Sequence, residues 1–133
     1  MILDGIFKKK SKKTAILVID DEAPFRNLLK DALRTPEREV HAAPDGASGI
    51  KAALELRPAL ILLDLMMPAV SGYDVLKELR ARAETKDIPV LVLTARTLLG
   101  EAERAFSLGA KATLHKPIDM DRLCRKVASM IAA

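Results

Sequence analysis

The stretch Leu60-Ile61-Leu62-Leu63-Asp64 decides the fold. Four aliphatic residues in unbroken succession fit a strand buried on both faces, because the strands of helix-covered parallel sheets read as continuous apolar runs. Working outward, three more segments share the pattern. Ala15-Ile16-Leu17-Val18-Ile19 stops at Asp20-Asp21, Pro89-Val90-Leu91-Val92-Leu93 stops at Thr94, and Ala112-Thr113-Leu114 is followed by His115-Lys116-Pro117. In open α/β sheets, ligands bind beyond the carboxyl ends of the strands. Laid side by side, these runs bring three carboxylates, one hydroxyl and one ammonium to a single edge. That set suits a divalent cation and a phosphoryl group.

Between the runs the apolar period changes from that of a strand to that of a helix. Helices are expected over 23–34, where Phe25, Leu28, Leu29, Ala32 and Leu33 fall at helical spacing, and over 46–57, with Asp45 as N-cap and Ile50, Ala53 and Leu54 as the buried stripe. Further helices are expected over 72–83, with Val75, Leu76 and Leu79 inward, over 99–108, closed by Gly109, and over 119–131, with Asp119 as cap and Leu123, Val127, Met130 and Ile131 inward. Pro24 falls in a first turn, where its missing N–H costs little. The segment 39–43 is the weakest strand, and its polar content places it at a sheet edge. Five βα units with short, right-handed connections predict an α/β fold: a doubly wound, five-stranded parallel sheet with helices on both faces.

Composition bounds the function. A chain of 133 residues, half of them hydrophobic, suits one domain with one core. Aromatic residues are only 3% of the chain, so the core is aliphatic and single-stranded nucleic acid, which needs stacking rings, is a poor ligand. The net charge of +4 resides wholly in residues 1–13, which hold five lysines and one aspartate. From residue 14 onward the charges balance. Residues 1–13 therefore read as a basic, disordered N-terminal tail. Ile2, Leu3, Ile6 and Phe7 would share one helical face there, a second reading that allows contact with a membrane surface or a partner. The single cysteine, Cys124, excludes an internal disulfide and fits a reducing compartment, and no apolar stretch is long enough for a signal peptide or a membrane span. A cytoplasmic location is the expectation.

The candidate site follows from chemistry. Asp20 and Asp21 repel one another unless a cation joins them, and Asp64 adds a third hard oxygen donor, which favours Mg²⁺. A carboxylate held beside a metal can attack phosphorus as a nucleophile. Asp64 is the candidate nucleophile, Thr94 the hydroxyl donor to a phosphoryl oxygen, and Lys116 the ammonium that pairs with Asp64 or with the phosphoryl oxygens. His115, His41, Met66, Met67 and Tyr73 have plainer readings as surface or packing residues.

With Asp20-Asp21, Asp64 in Leu-Asp-Leu-Met-Met-Pro-Ala-Val-Ser-Gly, Thr94-Ala95 and Lys116-Pro117, the chain resembles the receiver domain of a two-component response regulator over about residues 14–132. The resemblance implies a flavodoxin-like fold with strand order 2-1-3-4-5. It implies that Asp64 accepts a phosphoryl group from a histidine kinase or a histidine phosphotransferase. Asp21, Asp64 and the backbone carbonyl of Met66 would ligate Mg²⁺ directly, Asp20 mainly through a metal-bound water. Thr94 would move toward the phosphoryl group, and Lys116 would pair with it. The implied output face combines the helix over 99–108, the strand over 112–115 and the last helix. One position departs from the pattern: where the family often has Tyr or Phe, three residues before the lysine, this chain has Thr113. Arg96 and Met66 would flank the phosphorylated carboxylate and tune its lifetime.

The expected function is thus a stand-alone phosphoacceptor switch that signals through protein contacts. It would not be an enzyme beyond its own phosphorylation and dephosphorylation. No DNA-reading segment follows the last helix, so direct DNA binding is not expected. The alternative is a Mg²⁺-dependent phosphatase with an aspartyl nucleophile, but that class carries Asp-x-Asp after its first strand, where this chain has Asp20-Asp21-Glu22. A flavodoxin-like cofactor binder needs a phosphate loop at the place where these two carboxylates would repel the anion.

Overall fold

A computed structural model describes residues 13–95 and 100–132. Ten elements alternate along them: β1 (Thr14–Ile19), α1 (Ala23–Leu33), β2 (Arg38–Ala43), α2 (Gly46–Leu56), β3 (Leu60–Asp64), α3 (Gly72–Ala81), β4 (Val90–Thr94), α4 (Glu101–Ser107), β5 (Ala112–His115) and α5 (Met120–Ala132). The strands form one parallel sheet in the order β2-β1-β3-β4-β5, with β2 at one edge as its polar sequence requires. The expected doubly wound α/β architecture is therefore present.

Successive residues of a strand point to opposite faces, and the aliphatic runs of the three central strands supply both cores at once. Leu17, Ile19, Ile61, Leu63, Val90 and Val92 face α2, α3 and α4. Ile16, Val18, Leu60, Leu62, Leu91 and Leu93 face α1 and α5. Every residue of β3 and β4 is buried, whereas the edge strands β2 and β5 are only partly so.

The helix boundaries have local causes. Asp45 caps α2 by accepting from the Ser48 N–H at 2.8 Å, and Arg57, with φ 46°, turns the chain out ahead of Pro58. Ser71 caps α3 by accepting from the Asp74 N–H, and Asp119 accepts from the Arg122 N–H at the start of α5. Two expectations need correction. Helix α3 ends at Ala81, not at 83, because Arg82 is extended. The chain there folds into a turn tied by the Thr85 hydroxyl, which donates to the Leu79 carbonyl at 2.6 Å. Leu28 has the right spacing for the buried stripe of α1 but lies on its solvent side, 49% exposed, while Leu29 and Leu33 fill the core. The expected helix start at 99, the loop residue Arg96 and residues 1–12 of the tail lie outside the described residues.

Arg80 is a structural element that the sequence does not announce. Its guanidinium donates to the carbonyls of Lys86 and Ile88 in the α3–β4 connection and of Gly109 after α4, at 2.8–3.1 Å. Gly109, with φ +106°, lies against this side chain; a Cβ there would come 2.6 Å from Arg80 Nε.

Candidate functional site

Each central strand ends at the same edge of the sheet and delivers a functional side chain there. The parallel register sets Ile19 beside Leu63 and Asp64 beside Leu93, so the residues just past β1 lie next to the end of β3. One carboxylate oxygen from each of Asp20, Asp21 and Asp64 falls within 4.8 Å of the others. Asp20 and Asp64 are buried, at 1% and 3% exposure, and Asp21 is open to solvent. The five residues expected to converge at the strand ends are placed there, and Thr94 is buried at the end of β4.

Lys116 comes to the cluster from the far side of the sheet, through a cis Lys116–Pro117 peptide. Its ammonium lies 3.0 Å from Asp20 Oδ2 and 3.8 Å from Asp64 Oδ2. The sequence suggests Asp64 as its partner, but Asp20 is the closer one. Exposed Glu22 stands 3.8 Å away on the outer side. The ammonium also lies 4.3 Å from the centroid of the Phe25 ring, a cation–π contact that narrows its range of positions. Sequence reading takes Phe25 as a stripe residue only, because no local pattern relates positions 25 and 116.

Asp20 is held from several directions. Its Oδ1 accepts from the Glu22 N–H at 2.8 Å, and its backbone carbonyl accepts from the Arg26 guanidinium at 2.8 Å. Asp64 Oδ1 accepts from the Met66 N–H at 3.0 Å. Burial pushes the Asp64 carboxyl above its ordinary value, as do Asp20 and Asp21; the Met66 N–H and the Lys116 ammonium oppose that rise. Gly72 opens α3 directly beneath this loop. A Cβ at that position would come 2.6 Å from the Leu65 Cα, so only glycine lets the helix approach the turn that carries Asp64.

The donor set fits a hard divalent cation. Three carboxylates against one ammonium leave two negative charges to neutralise. Opposite corners of an Mg²⁺ oxygen octahedron are about 4.2 Å apart, close to the spacing of these donors. Asp20, with one oxygen on the Glu22 N–H and the other on Lys116, is less free to ligate directly than Asp21.

Next to this edge lies a cleft of about 460 Å³, lined by Leu65, Met66, Met67, Pro68, Ser71, Tyr73 and Arg104. Tyr73 does more than pack at the entry of α3. Its hydroxyl donates to the Glu101 carboxylate, and the Arg104 guanidinium stacks 3.9 Å from its ring centroid, so one tyrosine links α3 to α4.

Known proteins resemble this chain in sequence and fold. The sequence matches the response regulator receiver domain over residues 16–128. It is 38% identical over 116 residues to the DNA-binding dual master transcriptional regulator RpaA of Synechocystis, covering 87% of this chain and 48% of that protein. It is 33% identical to the response regulator MprA of Mycobacterium sp. strain KMS, covering 87% and 50%. The chain thus spans about half the length of the curated relatives it matches. Among solved structures, the chemotaxis protein CheY4 of Vibrio cholerae superposes with a TM-score of 0.83 at 26% identity, covering 89% of this chain and 98% of that one. The receiver domain of the sensor histidine kinase PA1611 of Pseudomonas aeruginosa, solved with a magnesium ion in its active-site cleft, superposes at 0.81 and 27%, covering 91% and 99%. No helix among the described residues is long and apolar enough to cross a membrane. The phosphatase alternative gains no support from these relatives. The chain belongs to the response regulator receiver domain family.

Proposed function

We propose that the chain is a phosphoacceptor switch in which Asp64 takes a phosphoryl group from a phosphohistidine of a sensor kinase or phosphotransferase. The observation that carries this reading is the burial of Asp64 at the end of a central strand, 3.8 Å from the Lys116 ammonium and beside Asp20 and Asp21. Asp21, Asp64 and the Met66 carbonyl would hold Mg²⁺, with Asp20 acting through a water. The ion supplies charge neutralisation on the oxygens of the phosphoryl group as it passes between donor and acceptor.

The protein's own groups do the rest. The turn after β3 fixes Asp64 through the Met66 N–H, leaving Oδ2 toward the cluster. That oxygen forms the new O–P bond while the P–N bond of the phosphohistidine breaks and its electron pair returns to the imidazole. Attack of water on the phosphorus then forms a new O–P bond as the aspartyl O–P bond breaks, giving inorganic phosphate and a proton and restoring the carboxylate. Lys116 is poised to exchange its contact with Asp20 for one with a phosphoryl oxygen, and Thr94, buried at the neighbouring strand end, can donate its hydroxyl to another. Both moves pull on β4 and β5, so the α4–β5–α5 side is the output face toward a protein target. Thr113 stands where the family often has an aromatic ring, and the Tyr73 link between α3 and α4 supplies a different connection to α4. In this reading residues 14–133 form the receiver, residues 1–13 are a tail outside the chemistry, and the protein acts in the cytoplasm without turning over an external substrate.

Incubation with Mg²⁺ and acetyl phosphate should add one phosphoryl group, read by intact mass, and Asp64→Asn should abolish it. Unchanged labelling in Asp64→Asn would refute the assignment. Chelation of Mg²⁺ should stop labelling, and deletion of residues 1–13 should leave its rate unchanged.

A further inference from the structure

Between β5, an edge strand of the sheet, and α5 lies a groove of about 430 Å³, lined by Thr113 and Leu114 from the strand and by Arg122, Arg125, Lys126 and Ser129 from the helix. Three of the six lining residues are cationic and none is acidic. The cations are exposed, and none forms an ion pair among the described residues. They owe nothing to the core: α5 buries Leu123, Val127 and Met130 on its inner side. Nor do they reflect a generally basic chain, since the charges balance from residue 14 onward.

Positions 122, 125, 126 and 129 share one stripe of the helix, where like charges three and four residues apart repel and weaken it. The lining is of one sign although the helix is not, since exposed Asp121, four residues before Arg125, stays outside the groove. A recess lined in this way is complementary to an anionic chain. The spacing selects its form. Arg122 and Lys126 are about 6 Å apart along the helix axis, and side chains two residues apart on an extended strand are about 6.6 Å apart. We infer that this groove receives an extended acidic segment of the partner protein, with carboxylates at alternate positions. The inference rests on the reading of the β5–α5 side as the output face.

The test uses the full chain and a fluorescent peptide of alternating Glu and Ser, with a Lys–Ser peptide as control. The Glu peptide should bind with an affinity that falls with salt, shifting the amide resonances of Thr113, Leu114 and the segment 122–129. Arg125→Glu with Lys126→Glu should weaken it about three- to thirtyfold, the range expected for two exposed charge contacts reversed together. Acetyl phosphate labelling of the double variant should be unchanged. Equal binding by the double variant, or shifts confined to the lysines of residues 8–13, would overturn the inference. So would stronger capture of a mixed-sequence oligonucleotide, or dimerisation of the chain that the double variant abolishes; these would assign the groove to nucleic acid or to a second copy. Failure of labelling at Asp64 would sink the phosphoacceptor reading while leaving the peptide result legible, so the two can fail separately.

Discussion

Replacing Asp64 with asparagine should make the metal-free protein more stable while it destroys the function. In the metal-free site Asp64 repels Asp20 and Asp21, whose nearest oxygens lie within 4.8 Å, and attracts Lys116 at 3.8 Å. With an effective dielectric of about 20, the Asp20 repulsion is roughly 3 kcal/mol, the solvent-screened Asp21 adds about 1, and the Lys116 attraction is roughly 4. These terms nearly cancel. What remains is the cost of removing a carboxylate from water, the same burial that leads the causes of its raised pKa. That cost is several kcal/mol, offset in part by the Met66 N–H, which an amide oxygen can also accept. The net gain for Asp64→Asn is about 2 kcal/mol at pH 7, or roughly 6–10 °C in Tm for a domain of this size. Because the folded pKa lies above the unfolded value, the wild type loses stability as pH rises between the two. The advantage of the variant is therefore full above the folded pKa and vanishes below the carboxyl's ordinary value of 3.8. Saturating Mg²⁺ should reverse the order, since at a hundred times its Kd the ion stabilises the wild type by about 2.7 kcal/mol and the variant lacks one charged ligand. Thermal melts by circular dichroism in EDTA and in Mg²⁺ test both arms. A variant that melts at or below the wild type in EDTA at pH 7 would refute the reasoning.

Three further outcomes are expected. Arg80→Met should cost about 2–4 kcal/mol, because a cationic donor leaves several backbone carbonyls at once, and Gly109→Ala should cost less in that background than in the wild type, since the clash with Arg80 is gone and only the cost of a side chain at φ +106° remains; urea melts of the single and double variants check this, and full additivity would refute it. Gly72→Ala should cost about 1–3 kcal/mol through the clash with Leu65 and slow phosphorylation by acetyl phosphate, and a variant with unchanged melting and labelling would show that α3 can shift without moving Asp64. Asp45→Ala should destabilise α2 most above pH 3.8: the hydrogen bonds from Ser48 hold the Asp45 carboxyl below that value, so its stabilisation is full there and is lost as pH falls from 3.8 through the lowered pKa, and the two melting curves should draw together in acid.

The fold was legible because the three central strands carry no ambiguity. Ile16–Ile19, Leu60–Leu63 and Val90–Leu93 are aliphatic without a polar break, and only a strand covered on both faces needs such a run. The site was legible for a related reason. A carboxylate directly after such a run sits at a strand end, and parallel strands end together. What the sequence hides is contact between elements far apart in the chain. Nothing near position 25 shows that its ring would lie under Lys116, and nothing near position 80 shows that one arginine would hold the chain on both sides of β4. Leu28 misleads for the opposite reason: helical spacing fixes a stripe, but the width of the stripe that is covered depends on the neighbours.

These observations bear on how one sheet supports both stability and switching. Strands β1, β3 and β4 bury aliphatic side chains on two faces, and this rigid base tolerates two buried carboxylates at its end. The strain is electrostatic and local, so it can be relieved by a cation or by removal of a charge without disturbing the cores. Lys116 stands at the boundary between the two regimes. It belongs to the chain segment just past β5, the shortest strand and an edge of the sheet, and it is paired most closely with Asp20 rather than with the residue that would be modified. A phosphoryl group on Asp64 would bring anionic oxygens within reach of an ammonium already 3.8 Å away. The least costly response is a shift of Lys116, and with it the edge strand, rather than of β3, which is held by neighbours on both sides and buried along its whole length. Motion would thereby be directed to β5 and α5, where the basic groove lies.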